Sequence, residues 1–418
     1  MRYRCVRCGR AAASFEGFQC SCGGLVEVEH RFPEVSLETF DRRLGCAERP
    51  FNSGVWRYKE LIHPEIGAEH VVTRPEGNTN LYVRGGVSEY TGVMRLTMKH
   101  EGENPTGSFK DRGMTVAVSE ALRSGAGTVA CASTGNTSAS VAAYAAQAGL
   151  RAVVFVPEGE IALGKLAQAL AYGARVIQVK GYFDDAMRLV REASRQLNLY
   201  LLNSLNPWRI EGQKSIVFEA LQQMRWSPPD WIVVPAGNLG NTSAFGKALR
   251  ELVQLGLLES MPRIAAVQAE GANPFYTLWK GKGNQLEPVK PSTVASAIKI
   301  GDPVSWMKAL DAVRFTGGVV EQVSDAEILE AKAVVDASGV GCEPASAASV
   351  AGAKKLAKAG VIGADEEVLC VLTGNLLKDT ETTIKYHSGE LISSGRVNRP
   401  VTVEADLGSI ERALRPPT

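Results

Sequence analysis

The chain has 418 residues, with 46 basic against 45 acidic side chains and a formal net charge of +1, so it lacks the clustered Lys and Arg that grip nucleic acid or an anionic membrane. Its 45% apolar content, with 42 glycines and 19 prolines, is ordinary globular usage and excludes disorder, collagen and coiled coil. The length accommodates about two or three domains; no window reaches the ~18 apolar residues of a membrane span, and Met1 to Cys8 mixes charge and thiols where a secretory signal needs an apolar run, so the expected location is cytoplasmic.

Four of the eight cysteines fall within the first 22 residues. In a reducing compartment such clustering indicates a metal site rather than a disulfide frame. Cys5-x-x-Cys8-Gly9 and Cys20-Ser21-Cys22-Gly23-Gly24 resemble the two halves of a zinc ribbon. Four thiolates on two tight turns suit tetrahedral zinc, and the glycines permit the bent backbone. The second pair has one intervening residue where two are usual, so a small cap with free thiols stays open as the alternative. Arg2, Arg4, Arg7 and Arg10 make only a small basic patch, which disfavours an RNA-binding ribbon. An all-thiolate site leaves no open position for catalysis, so the element reads as structural.

From about residue 126 onward, short β-branched runs alternate with longer Ala- and Leu-rich segments of helical period. The runs are Thr128 to Cys131, Ala152 to Val156, Arg175 to Val179, Trp231 to Val234, Arg263 to Val267 and Val368 to Leu372. Unbroken apolar runs of this length are buried parallel strands covered on both faces by helices, and the predicted class is α/β with doubly wound units. Helices are expected over Met114 to Leu122, Ser138 to Ala148 with Gly149 as cap, Leu163 to Tyr172 with Gly173 as cap, and about Ser243 to Leu255. The segment from Lys280 to Pro291 reads as a surface loop, and the last twenty or so residues as a trailing arm.

Four stretches can carry chemistry. In Asn104-Pro105-Thr106-Gly107-Ser108-Phe109-Lys110-Asp111-Arg112-Gly113, a turn and a Ser cap deliver Lys110 into the first turn of a helix. The positive helix end and nearby Arg112 disfavour its ammonium form, which suits an amine nucleophile; a solvated lysine at an exposed helix start fits the same spacing. Ala132-Ser133-Thr134-Gly135-Asn136-Thr137-Ser138 joins a strand to a small-residue helix and turns backbone NH groups and hydroxyls towards an anion, beyond what one N-cap requires. Pro235-Ala236-Gly237-Asn238-Leu239-Gly240-Asn241-Thr242 does the same after its strand, and without the dinucleotide spacing it suits a single compact phosphate. Leu372-Thr373-Gly374-Asn375-Leu376-Leu377-Lys378-Asp379 lies at the carboxyl end of a strand, where open α/β sheets bind ligands.

In this order the four stretches resemble the pyridoxal-phosphate enzymes of the tryptophan-synthase-β type, fold type II, and among them the threonine synthases, from about Val55 to Asp379. Supporting stretches are Gly54-Val55-Trp56-Arg57-Tyr58, Lys165 to Ala174, Asn203-Ser204-Leu205-Asn206-Pro207 with Glu211-Gly212-Gln213-Lys214, and Ile300 to Trp306. Asp111-Arg112 after the lysine favours a synthase over the dehydratases, which more often carry an apolar residue there. One departure is Gly77-Asn78-Thr79-Asn80-Leu81, where such enzymes usually have a proline in place of Asn80; its loss costs little locally.

The resemblance implies that Lys110 holds pyridoxal phosphate as an internal aldimine and moves protons at the α and β carbons. Asn136 would bond the cofactor's phenolic oxygen, with Ser133, Thr134, Gly135 and Thr137 around the substrate carboxylate. Gly237, Asn238, Leu239, Gly240 and Asn241 would cradle the cofactor phosphate, and Thr373 would meet the pyridine nitrogen. Arg112, Lys165 and Lys214 are the candidate cations for a substrate phosphate. The reaction implied is O-phospho-L-homoserine plus water giving L-threonine and phosphate, by γ-elimination and β-hydration. Rivals within the family are a synthase of cysteate from O-phosphoserine and sulfite, which shares the cofactor machinery, and a threonine or serine dehydratase, which needs no substrate-phosphate site. A silent binding protein would have no reason to keep Lys110, Asn136, the glycine loop and Thr373 together.

The expected architecture is a Cys-rich cap over 1–30, a lead-in over 31–76, a smaller mobile α/β domain over 104–215, a larger one combining 77–103 with 216–400, and an arm over 401–418. The cofactor would lie between the two α/β domains, and the family implies a homodimer.

Overall fold

Short β-branched runs between turn residues form the strands, because such side chains pack well on a pleated, buried surface. The computed structural model describes residues 1–14, 18–159, 163–281, 283–391 and 396–414, with the side chains of 163–165 and 183–184 outside that description. Arg2–Cys5 (β1), Ala11–Ala12 (β2) and Val26–Glu29 (β3) make a small antiparallel sheet in the order β2-β1-β3. Next come Leu81–Tyr82 (β4) and Arg95–His100 (β5). Thr128–Ala132 (β6), Arg151–Pro157 (β7), Arg175–Val179 (β8) and Tyr200–Leu201 (β9) form a four-stranded parallel sheet ordered β8-β7-β6-β9. Trp231–Pro235 (β10), Arg263–Ala269 (β11), Val319–Val323 (β12) and Glu367–Leu372 (β13) join the earlier pair in a six-stranded sheet ordered β12-β11-β10-β13-β5-β4, parallel except for β4.

The chain is thus an α/β protein with two parallel sheets, as the sequence predicts. Alternate residues of one strand enter different cores: Ile232 and Val234 pack on one side of β10, Trp231 and Val233 on the other. Both faces of the strand are covered, which is why the sequence shows continuous apolar runs there instead of alternation. Strands β5 and β12 escape that reading because Lys99, His100, Glu321 and Gln322 interrupt their apolar pattern.

Helices run over Lys110–Arg123, Asn136–Ala148, Leu163–Ala171 and Gly240–Gln254, each beginning at or before the expected residue. The second starts two residues ahead of Ser138 because the Ser138 hydroxyl donates to the Gly135 carbonyl at 2.7 Å from inside the first turn. It ends on left-handed Gly149, φ 68°. A short helix, Pro207–Gln213, crosses the Lys110 helix closely enough that a Cβ on Gly212 would lie 1.9 Å from the Arg112 carbonyl oxygen. Only glycine permits that approach. The Lys280 to Pro291 segment has no regular element among its described residues beyond the helix end at Lys280.

Met1–Lys378 form one compact unit and Asp379–Thr418 a second. Within the second, the expected C-terminal arm contains a helix over Leu407–Leu414, while 415–418 fall outside the described residues. Leu407, Ile410 and Leu414 recur at helical spacing in that helix. Among the described residues no helix is long and apolar enough to cross a membrane.

Candidate active site

Backbone pairing, rather than side chains, delivers Lys110 to its position. The Gly107 NH closes a turn on the Asn104 carbonyl at 2.7 Å, the Asn375 NH donates to Gly107 at 2.9 Å, and the Phe109 NH donates to Thr373 at 3.0 Å. The carboxyl end of β13 therefore fixes the turn from which the Lys110 helix starts. The Lys110 side chain is half-buried, with Nζ 4.0 Å from the centre of the Phe109 ring. Desolvation, and then the Arg209 guanidinium, bring its pKa down to about 7, with the Glu343 carboxylate opposing them. The cation acting on the amine is thus Arg209 and not Arg112.

Ser133, Thr134, Gly135, Asn136 and Thr137 form an unbroken half-open run between buried β6 and the buried body of the Asn136 helix. Asn136 Nδ2 donates to both carboxylate oxygens of Glu343, at 3.3 and 3.1 Å. Glu343 opens the helix Pro344–Lys358, and its backbone NH donates to the Gly374 carbonyl at 3.1 Å. A Cβ on Gly374 would lie 2.4 Å from the Glu343 carboxylate, so a side chain beside Thr373 would displace that carboxylate. Glu343 thus ties the Asn136 turn, the end of β13 and the field at Lys110 together.

After β10, Gly237 to Asn241 turn into the Gly240 helix through left-handed Leu239, φ 64°. Asn238 Oδ1 accepts the Val304 NH at 3.3 Å. Gln213 lies against both Gly113 and Gly240, between the starts of the Lys110 and Gly240 helices. Thr373 is buried, with its hydroxyl 3.0 Å from that of Ser346.

The candidate substrate-phosphate cations divide differently. Arg112 is fully buried and bonds Glu101 through Nε at 2.6 Å and Glu219 through Nη2 at 2.7 Å. Lys214 is fully buried between Glu211 and Glu251, each at 2.6 Å. Both cations are neutralised by internal carboxylates, a partnership that local spacing could not reveal, and neither stands free for a substrate anion. The side chain of Lys165 lies outside the described residues.

Arg209, on the Pro207 helix, is the opposite case. It is buried; Nη1 donates to the Leu202 carbonyl at 3.2 Å, Nε has no partner, and among the described residues no carboxylate pairs with it. Burial alone lowers its pKa to about 10, so the guanidinium keeps its charge at neutral pH. A desolvated, unneutralised cation beside the reactive amine is a ready anion site.

Residues 72–374 match the family model of pyridoxal-phosphate-dependent enzymes. The chain is 43% identical to threonine synthase of Methanocaldococcus jannaschii over 418 residues, covering 99% of this chain and 100% of that one. It is 45% identical to threonine synthase of Methanosarcina acetivorans over 415 residues, 98% of each. The chain belongs to the threonine synthase family of pyridoxal-phosphate-dependent enzymes. Threonine synthase of Escherichia coli shares the fold, with a TM-score of 0.71 at 21% identity over 99% of each chain.

The residues of the site fit the family's cofactor. Thr242 Oγ1, at the start of the Gly240 helix, and Ser108 Oγ, two residues before Lys110, are buried hydroxyls without hydrogen-bond partners among the described residues. An unsatisfied hydroxyl donor at a helix N-terminus suits a phosphate. The family's usual turn proline is absent at Asn80 without harm, because the Asn80 NH donates to Glu103 at 2.7 Å, a bond proline could not make. Sequence reasoning missed Arg209 and Glu343. Arg209 sits inside the Asn203 to Lys214 stretch that supports the resemblance, but nothing in its spacing distinguishes a free arginine from a paired one.

The four N-terminal thiols also converge. Their sulfurs all lie within 4.8 Å of one another, with Cys5 to Cys22 at 3.5 Å and Cys8 to Cys20 at 3.7 Å. The Cys22 backbone NH helps bring the Cys20 thiol down to about 6.

Proposed function

We propose that this chain converts O-phospho-L-homoserine and water into L-threonine and inorganic phosphate, with pyridoxal phosphate held at Lys110. The observation that carries this reading is the pairing of an amine poised near neutrality with a buried, unneutralised arginine beside it. Such a pair suits a substrate that brings both an amino-acid centre and a phosphate.

Bound at Lys110, the cofactor supplies the electron sink for carbon acids that no side chain provides. The Gly237 to Asn241 turn and the Thr242 hydroxyl hold its phosphate, and the Thr373 hydroxyl, steadied by Ser346, meets its ring nitrogen. Asn136, oriented by Glu343, donates to its phenolic oxygen. Ser133, Thr134, Gly135 and Thr137 bind the substrate carboxylate with hydroxyls and backbone NH groups. As a free base, the Lys110 amine would take and return protons at the α and β carbons. Arg209 binds the substrate phosphate and stabilises its charge as the carbon–oxygen bond at the γ carbon breaks. Water then adds at the β carbon.

The segment 104–215 closes against 77–103 with 216–400 and keeps water out until the β-addition; the cap over 1–30, the lead-in over 31–76 and the arm over 401–418 complete the division. Cys5, Cys8, Cys20 and Cys22 hold a structural zinc, a reading supported by sulfur separations near the ~3.8 Å that tetrahedral Zn–S bonds of about 2.3 Å impose. The working form is a cytoplasmic homodimer, a reading that rests on the family resemblance.

The test is product release by purified, cofactor-loaded protein. Threonine and phosphate in equal amounts from O-phospho-L-homoserine are expected. Silence there, with cysteate formed from O-phospho-L-serine and sulfite, would overturn the substrate.

A further inference from the structure

Both long strands of the thiol-bearing sheet are fastened to the helix that carries Arg209. From β1, the Tyr3 hydroxyl accepts the Trp208 Nε1–H at 2.9 Å, with the two rings edge to face. From β3, the Val28 carbonyl accepts a hydrogen bond from Lys247 Nζ, which also bonds Glu211. Just past β3, His30 Nε2 meets Glu211 at 2.9 Å. Trp208 and Glu211 flank Arg209 in sequence on its seven-residue helix, so the sheet holds that helix one residue before and two residues after the arginine. The grip is buried: Trp208 and Glu211 are each fully enclosed.

The sheet is small. Tyr3, Val26 and Val28 are its contribution to the main core, and apart from the convergence of the four sulfurs its two turns are joined by one bond from Arg7 Nη1 to the Cys22 carbonyl at 3.0 Å and one from the Val6 NH to the Leu25 carbonyl at 3.0 Å. An element so small depends on a staple.

We propose that zinc bound by Cys5, Cys8, Cys20 and Cys22 sets the position of Arg209 through Tyr3–Trp208 and through the Glu211 cluster, and so controls the affinity for the substrate phosphate without touching it. Tyr3, Trp208, His30, Glu211 and Lys247 act as positioning residues. The inference rests on the reading of Arg209 as the phosphate-binding cation. It gives the thiolate site a function that a mere cap would not have.

The experiment compares the cofactor-loaded enzyme with zinc present, with zinc stripped by a chelator, and with zinc restored. Zinc content, binding of inorganic phosphate by calorimetry, the visible spectrum of the bound cofactor, and KM and kcat for O-phospho-L-homoserine are recorded. Stripping is expected to weaken phosphate binding and raise KM by about tenfold, with kcat and spectrum held within about twofold, and readdition of zinc should reverse it. Tyr3→Phe, with zinc fully loaded, should give part of the same KM effect. Phosphate binding indifferent to zinc, a chain that takes up no zinc, or a parallel loss of cofactor spectrum and kcat would each overturn the proposal. Arg209→Lys separates the two layers: unchanged phosphate binding in that variant rejects the role of Arg209, whereas weakened binding there with no response to stripping rejects the linkage alone.

Discussion

Lys110 sits between a cation and a carboxylate, Arg209 lowering and Glu343 raising its proton affinity, and desolvation tips the balance to about 7. The reactive species is the free amine. Below pH 7 it therefore declines tenfold per pH unit, and above about pH 8 it saturates. Capture of added pyridoxal phosphate by the cofactor-free protein should follow that curve in stopped-flow absorbance; a rate still climbing near pH 10 would show an unperturbed lysine. Lys110→Ala should abolish both turnover and the visible absorption of protein-linked cofactor. Glu343→Gln removes the opposing charge but keeps an acceptor for Asn136, so the pKa of Lys110 should fall further and the capture curve should move to lower pH, read in the same assay. At this scale the sequence was legible where chemistry is local: Lys110, Asn136 and Thr373 lie in short motifs whose turns the structure reproduces. It misled where a side chain's meaning depends on a distant partner. Arg112 looked like a free cation beside the lysine, yet Glu219 lies over a hundred residues away and neutralises it, as Glu251 does Lys214.

Elements show the same division. Strands built from uninterrupted apolar runs, such as Trp231–Pro235, declare themselves, whereas Arg95–His100 hides a fully buried lysine whose ammonium is held by Glu219 at 2.7 Å, the Thr79 carbonyl at 2.6 Å and Gln223 at 2.7 Å. The short Pro207 helix gave no strong periodic signal, since all seven of its residues are buried. Its course is set by contact: the Asn206 side chain caps Trp208 NH at 3.0 Å, Pro207 fits the first turn, and Gly212 meets the Arg112 carbonyl. Gly212→Val should force the two helices apart and destabilise the protein by about 1–3 kcal/mol, measured by denaturant unfolding. Because Arg209 rides on the displaced helix, phosphate binding should weaken in whatever fraction stays folded. Equal stability to the parent protein would mean that the crossing is looser than the Cβ geometry requires.

Among the described residues, two ionic knots gather several of the buried charges, Lys99–Glu101–Arg112–Glu219 and His30–Glu211–Lys214–Lys247–Glu251. Glu219, although fully buried, is held well below the usual carboxylate range by Arg112 and Lys99. A depressed carboxylate contributes stability that is complete above its unfolded value of about 4.3 and is lost as pH falls through the folded one. Glu219→Ala, which strands two buried cations, should cost about 3–5 kcal/mol and flatten the acid limb of the stability curve; a melting temperature unchanged from the parent's would refute that role. The second knot joins residues at the beginning of the chain to partners from Glu211 to Glu251, and Lys308 Nζ adds a bond to the Val26 carbonyl at 2.9 Å. The thiol-bearing segment therefore leaves the ribosome well before the partners that hold it and is among the last to find its seat. For most of synthesis its four sulfurs stand in solvent with no Trp208, Lys247 or Lys308 to dock against, so the segment meets metal ions and oxidants as a nascent hairpin. What it has captured by the time residue 308 emerges is the state in which the enzyme first folds.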